Sequence, residues 1–441
     1  MWVEELTLEN IKCFRKTVFH FGDKSGPCKW VTFLGENGGG KSTVLQALGL
    51  LLSGPESAQK LLPRPVAWLG DEDRRGMITV RVHKGSNDPG QFGAERVFKA
   101  FGYSFYVTGR RPISINKKQY NEPAIVEGPS RQLPWLRANA YKPEGSGWFA
   151  AGYGAFRRLS PTDQIIVPSL DRPARSTSFA TQFDENEPLF TFEQWMVYLD
   201  YRVSKGQSAG RSEWQRNVAA AAINRLLPAG TRYSQVSDEG RVLFLCSGRE
   251  VPTSSLSDGY RSVIALAGDL IWRLMAAFPE SRNPLEEEGV VLIDELDIHL
   301  HPTWQRSIAG LLRESFPNIQ FVVATHSPFI AAGAGEDALT LRLRAEGDQI
   351  IVDSIPNMAS MDVDRALRSE AFGLVSTYSP ETQGKIDRYD TLRRKRARTP
   401  EEEKALGQLS LDLREARPFG GPPEKGSLDA RIDDFLEKAI P

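Results

Sequence analysis

Cysteine is scarce in this 441-residue chain: three in all, Cys13, Cys28 and Cys246, without metal-type spacing. That excludes a disulfide framework and a cysteine-ligated zinc module, and it leaves small thiols packed in a reducing compartment. Net charge is nearly absent as well. The 55 Lys and Arg against 56 Asp and Glu give a formal charge of -1, so any surface for nucleic acid or acidic lipid has to be local. No uninterrupted apolar run approaches the roughly 20 residues that span a bilayer. The opening MWVEELTLENIKCF carries acids and alternates like a strand, so the expectation is a cytoplasmic protein without a membrane segment. Internal repeats, low-complexity tracts and long heptad runs are also missing, which excludes a solenoid and the arm of a long coiled-coil ATPase.

The length suits one large domain carrying insertions. Val3, Leu6, Leu8 and Ile11, then Val18 to Phe21, suggest a two-stranded antiparallel start, and Lys29 to Leu34 reads as a short buried strand. From Ser42, apolar residues at Val44, Leu45, Leu48, Leu51 and Leu52 recur at helical spacing. Between about 59 and 175 the pattern breaks into short strand-like runs, read as a β-rich elaboration. Helical periodicity returns from Phe192 to Tyr201 and from Trp214 to Leu227, giving a helical lobe over about 190–235. The chemistry-bearing head is expected over 1–335. A charged, mainly helical extension is expected over 336–441, with Thr399-Pro400-Glu401-Glu402 as a strong helix start.

Gly35-Glu36-Asn37-Gly38-Gly39-Gly40-Lys41-Ser42 fits G-x-x-x-x-G-K-[ST] between an apolar strand and a helix. The pattern requires glycines because backbone N–H groups must converge on phosphate oxygens. Lys41 then reaches the β- and γ-phosphates, and Ser42, followed by Thr43, meets magnesium. Val290 to Ile293 runs into Asp294-Glu295, a buried strand ending in two carboxylates, suited to holding a magnesium shell and polarising an attacking water. Ile319 to Ala324 ends in Thr325-His326-Ser327-Pro328, which puts a histidine at the end of a second strand. Leu256-Ser257-Asp258-Gly259-Tyr260-Arg261 opens an apolar helix. By itself this last motif is equally an N-cap and a flexible turn.

Phosphate loop, Ser-x-Gly helix, Asp-Glu strand and then histidine is the motif order of the ABC ATPase superfamily, and the chain resembles its RecF/SMC-like soluble branch. The resemblance covers the first fifty residues and about 255–330. It implies an α/β P-loop NTPase head with a helical signature lobe, using ATP and Mg2+ and dimerising head to tail. On that implication Ser257, Asp258 and Gly259 meet the γ-phosphate held at Lys41 of a second copy, Asp297 lies on the loop crossing the interface, and His326 is the switch histidine. Tyr153-Gly154-Ala155-Phe156-Arg157 resembles the family's Tyr-Gly-x-x-Arg element, with Arg157 as a phosphate or interface arginine or else an ordinary surface one. The signature reads SDGY rather than SGGQ, and Gln119, Gln164 and Gln182 all remain candidates for the glutamine loop.

The wording ELDIHLHPTWQR…FPNIQFVVATHSP resembles prokaryotic antiphage defence ATPases of the Septu type, and so implies an HNH-type nuclease partner. His299-x-His301 lacks a third nearby ligand and reads as interface packing rather than a metal site. Asp362-Val363-Asp364 mimics a nuclease motif but stands where a helix N-terminus expects acids. The basic run Arg393 to Arg398 reads as a solvated face before it reads as a DNA contact, and the last segment, Leu428 to Leu436, as a docking helix for a partner or for the chain itself. Competing functions are a RecF-like DNA-repair ATPase and a nucleotide-gated scaffold with little turnover; a transporter subunit fits less well.

Overall fold

Alternation in the first strand sets up the first sheet. In the computed structural model Trp2–Ile11 buries Val3, Leu6, Leu8 and Ile11 on one side. It pairs antiparallel with Phe14–His20 on one edge and Gly76–His83 on the other, and Ala100–Val107 and Ile125–Glu127 complete five strands. The structure describes residues 1–441 apart from 24–25, 89–99, 110–112, 116–117, 121, 142–145, 158–173, 188, 190, 207–208, 357, 362, 370, 373–375, 396 and 414–441.

A second sheet has six strands in the order Phe149–Tyr153, Gly289–Ile293, Ile319–Ala324, Trp30–Gly35, Leu339–Glu346, Gln349–Ser354. All neighbours run parallel except the last pair. Gly289–Ile293 and Ile319–Ala324 are buried at every position, which explains their unbroken apolar spelling. Successive residues point to opposite cores. Val290, Leu292, Val31, Phe33 and Val322 face one, while Val291, Ile293, Trp30, Phe321 and Val323 face the other.

The first core holds the antiparallel sheet and the helix Lys41–Ser53, of whose 13 residues 11 are buried. A helix covered on almost every side must be apolar almost all round, and from Val44 to Leu52 only Gln46 is polar. The second core is covered by Thr191–Ser204, Ala209–Leu226, Asp258–Ala277 and Pro302–Ser315. A three-stranded sheet, Thr231–Val236, Val242–Cys246 and Arg249–Pro252, completes the helical lobe.

Two expected boundaries differ. The block 59–175 is not a separate elaboration: Gly76–His83 and Ala100–Val107 are interior strands of the first sheet, and Phe149–Tyr153 lies beside the strand ending at Ile293. Nor is 336 the start of a helical extension. Leu339–Glu346 and Gln349–Ser354 extend the second sheet, with Leu341 and Leu343 buried, and the first compact unit runs from Met1 to Val363. The second unit, Asp364–Pro441, contains the helices Pro380–Arg394 and Pro400–Asp412. Thr399 and Glu402 form the reciprocal capping box at the second of these. Leu428 to Leu436 lies outside the described residues, as do Gln164 and Asp362.

Close packing in the second core rests on Gly268, where a Cβ would sit 2.4 Å from the Cβ of Phe192. Gly268→Ala should therefore cost about 1–3 kcal/mol through overpacking. Gly310→Ala, on Pro302–Ser315 with nothing within 4 Å of an added Cβ, should gain up to about 1 kcal/mol from helix propensity. Urea midpoints of the two variants check the helix pairing; equal stability of Gly268→Ala and the parent would contradict it.

Candidate functional site

Lys41–Ser53 begins directly after the strand Trp30–Gly35, so the intervening glycine loop has to turn sharply. Gly40 has φ 90, and a Cβ there would meet the Phe14 ring at 2.6 Å and Cys13 Sγ at 2.9 Å. Only glycine fits. Gly39 N–H donates to the Glu36 carbonyl at 3.1 Å, and Glu36, Asn37 and Gly38 form the exposed apex. Lys41 is 6% exposed, with Nζ donating to the carbonyls of Gly35 (2.9 Å) and Glu36 (3.0 Å). Burial lowers its pKa, while the charges of Asp294, Glu295 and Asp297 act to raise it. The helix has no acid in its first turn and no side-chain cap, so its N-terminal N–H groups face the loop ready for an anion.

Asp294 follows the strand Gly289–Ile293, with its N–H donating to the Tyr153 carbonyl at 2.8 Å. Its carboxylate accepts from Ser42, yet Oδ1 is buried without a hydrogen-bond partner. Burial raises its pKa; Glu295 adds to the rise, and Ser42, Arg157 and Lys41 oppose it. Glu295 stands at φ 47, left-handed for a non-glycine residue. Asp297 accepts from the Thr325 hydroxyl through Oδ1, and Gln305 Nε2 donates to its carbonyl at 3.1 Å. His326 follows Thr325, exposed but desolvated enough to lower its pKa, which Lys41 lowers further; Asp297 and Asp294 oppose this. Charge interactions thus join Lys41, Asp294, Glu295, Asp297 and His326 at one edge of the parallel sheet.

A second cluster surrounds the Ser-x-Gly motif. Ser257 is exposed at the N-cap of Asp258–Ala277 and makes no side-chain capping bond; Asp258 pairs with Arg261. Gly259 is buried against the 297–301 turn, where a Cβ would meet the His299 carbonyl at 2.5 Å. His299 itself is left-handed, with φ 65. His301 accepts from Thr303 N–H as the N-cap of Pro302–Ser315. Among the described residues no group of three or more His, Cys, Asp or Glu is arranged to hold a metal.

Arg157 is not an ordinary surface residue. It is 4% exposed. Its Nη1 donates to the carbonyls of Gly154 (2.8 Å) and Asp294 (2.6 Å), Nη2 to that of Glu295 (2.9 Å), and Nε to the Ser262 hydroxyl (3.3 Å). Burial lowers its pKa to about 10, so it remains a cation at neutral pH. Of the glutamine candidates, Gln182 is buried against Gly49 and Gly152 with both amide atoms unpartnered.

Sequence reading missed a cleft of about 850 Å³ beside Gly38, lined among others by Lys12, Arg15, Arg74, Arg75 and Gln349. Asn10 shapes it from a left-handed turn at φ 52, donating through Nδ2 to the carbonyls of Asp71 and Arg74 at 2.9 Å each. The available signal was the asparagine itself, near the strand's end and of a residue type that tolerates left-handed backbone.

Residues 31–332 match the family described as "AAA domain, putative AbiEii toxin, Type IV TA system". The chain is 29% identical over 393 residues to the Septu protein PtuA of Bacillus mycoides (strain KBAB4), covering 88% of this chain and 47% of that protein. It therefore spans about half the length of that relative. Over 84 residues it is 48% identical to "Retron Vc95 probable ATPase" of Vibrio cholerae serotype O1 biovar El Tor, 19% of this chain and 16% of the other. Among solved structures, an SMC head bound to the C-winged helix domain of ScpA aligns with TM-score 0.50 at 17% identity, covering 82% of this chain and all of that one. At that identity the likeness concerns the fold alone, an α/β head.

The unpartnered Asp294 oxygen, the Ser42 hydroxyl and nearby carboxylates are hard oxygen donors, the type a small divalent cation takes. Because its folded pKa is raised, Asp294 opposes folding once ionised: stability falls as pH rises from the unfolded value through the folded one. Asp294→Asn should therefore leave the nucleotide-free chain at least as heat-stable as the parent at pH 8. It should also abolish any stabilisation by Mg2+ and ATP together. Thermal melts with and without both ligands test this, and a less stable free variant with intact ligand stabilisation would contradict it.

Proposed function

The chain belongs to the AAA domain family whose match spans residues 31–332, and from that membership we propose that it is an antiphage-defence ATPase working as a head-to-tail dimer. It is an ATPase-type enzyme by family. The phosphate loop and Lys41 would take the ATP phosphates, with the nucleoside lying toward the cleft at Lys12 and Arg75. Ser42 and Asp294 would hold Mg2+, which when bound neutralises charge on the phosphates. Glu295 would accept the proton of the attacking water. His326, whose pKa is lowered by partial desolvation and by Lys41, would hydrogen-bond the γ-phosphate or that water.

The observation that carries the reading is the division of the chemistry between two clusters. Lys41, Ser42, Asp294, Glu295 and His326 converge at one sheet edge. Ser257, in contrast, is exposed at a helix N-terminus with no capping bond in its own chain. A second copy supplying Ser257 and Gly259 would complete the site. The Septu and retron names of the relatives support a defence role, and a partner nuclease of HNH type would be the effector that the ATP-bound dimer licenses or restrains.

Light scattering with and without ATP, on wild type, Lys41→Ala, Ser257→Arg and Glu295→Gln, tests the proposal. Glu295→Gln should trap an ATP-dependent dimer and lower turnover by about 10²–10⁴-fold; Lys41→Ala and Ser257→Arg should stay monomeric. Identical behaviour of all four would rule out the composite site. Tight ATP binding and dimerisation without wild-type turnover would leave a nucleotide-gated scaffold.

A further inference from the structure

Arg157 is costly where it stands. Its described hydrogen bonds go to three backbone carbonyls and one hydroxyl rather than to a carboxylate, so Asp294, Glu295 and Asp297 act on the guanidinium only through their charges, and burial outweighs them. Its bonds join parts of the chain far apart in sequence. Two carbonyls belong to Asp294 and Glu295, a third to Gly154 at the end of the neighbouring strand, and the hydroxyl to Ser262 on the helix that begins at Asp258. Glu295 is left-handed, a conformation costing about 1 kcal/mol or more that persists only when its surroundings impose it. The bond from Arg157 to the Glu295 carbonyl is such an imposition.

The same helix is tied to the same strand ends a second time. Tyr153, whose carbonyl receives the Asp294 N–H, donates through its hydroxyl to Asp269 at 2.9 Å, and Arg273 donates to that carboxylate at 2.6 Å. Ser262, Asp269 and Arg273 recur at helical spacing on one buried face. The Tyr153–Asp269–Arg273 tie holds the middle of the helix. The Arg157–Ser262 bond lies one turn past Gly259, next to the end that carries Ser257.

We propose that Arg157 is a positioning residue that sets the backbone of Glu295 according to where the Ser257–Gly259 end of the helix sits. The inference rests on the composite-site reading above. Engagement of Ser257 by nucleotide held on a second copy shifts the first turns of the helix, and through Ser262 and Arg157 the shift reaches the general base of this chain's own site. The two sites of the dimer are thereby coupled. The Arg157 fork spans two carbonyls at once, which a lysine cannot reproduce.

The test uses the full chain as wild type, Arg157→Lys, Ser262→Ala and Ser262→Thr. ATP affinity is measured by equilibrium dialysis, together with kcat, KM, the Hill coefficient for ATP, the melting temperature, and ATP-induced hydrogen-exchange protection of residues 294–299. Arg157→Lys should bind ATP nearly as wild type does while kcat falls by about 10- to 100-fold. Ser262→Ala should lose about fivefold or more in coupling, with its Hill coefficient falling to one. Ser262→Thr, which keeps the hydroxyl, should restore cooperativity. Unchanged kcat and Hill coefficient in Arg157→Lys and Ser262→Ala would overturn the assignment. So would a parallel fall of melting temperature, ATP affinity and kcat, since a purely structural role gives that pattern. If wild type binds ATP without turnover, the hydrolysis reading fails separately and hydrogen exchange decides: protection of 294–299 must vanish in Ser262→Ala. A wild type that does not bind ATP would sink both.

Discussion

Parallel strands buried on both faces leave their chemistry nowhere to go but their ends. Gly289–Ile293 and Ile319–Ala324 present no exposed side chain along their length, so polar function can begin only at Asp294 and Thr325, where the backbone leaves the sheet. There the chain changes course abruptly and its carbonyls lose their ladder partners, which buried polar groups cannot tolerate. The Asp294 N–H goes to Tyr153, the Asp294 and Glu295 carbonyls to Arg157, and the Asp297 carbonyl to Gln305. The site geometry is to that extent the solution of a backbone hydrogen-bonding problem at a sheet edge.

The same constraint explains which features could be read from sequence. The phosphate loop is local: eight residues with a strand before and a helix after specify their own conformation, and Gly40 has a steric reason visible in its contact with Phe14. Asp294 and Glu295 end an apolar run, again a local signal. Phe149–Tyr153 carried none, because FAAGY is short and rich in small residues and owes its strand to pairing with Gly289–Ile293. The strands Leu339–Glu346 and Gln349–Ser354 were hidden behind a charged composition, since Arg344, Glu346 and Asp353 form ion pairs along them. Arg157 was legible as a motif but not as a role. Whether an arginine meets phosphate or carbonyl depends on strand ends more than a hundred residues away.

The head brings two buried cations, Lys41 and Arg157, against Asp294, Glu295 and Asp297. Formally that leaves one negative charge before any polyphosphate arrives. With Lys41 folded back on the carbonyls of Gly35 and Glu36, the loop satisfies its own cation internally, and an incoming phosphate has to exchange for those carbonyls rather than for bulk water. Such an exchange keeps the desolvation cost of Lys41 nearly constant between free and bound states, so charge attraction is not consumed in burying the cation anew.

Asp258 is the remaining electrostatic oddity, an acid between Ser257 and Gly259 where the proposed reading brings a γ-phosphate. Placed in the first turn of a helix, its carboxylate favours the positive end of the helix dipole, but left alone it would repel a phosphate arriving at the same N–H groups. Arg261, one turn on, pairs with it. Both side chains are substantially exposed, so the pair adds little to stability. Its effect is on the local field: the motif end keeps the acid's fit to the helix terminus without presenting net negative charge to the nucleotide. Gly259 cannot take over that function or vary, because a Cβ there would lie 2.5 Å from the His299 carbonyl oxygen. The motif thus tolerates change at Asp258, where a neighbouring charge compensates, and none at Gly259, where backbone meets backbone.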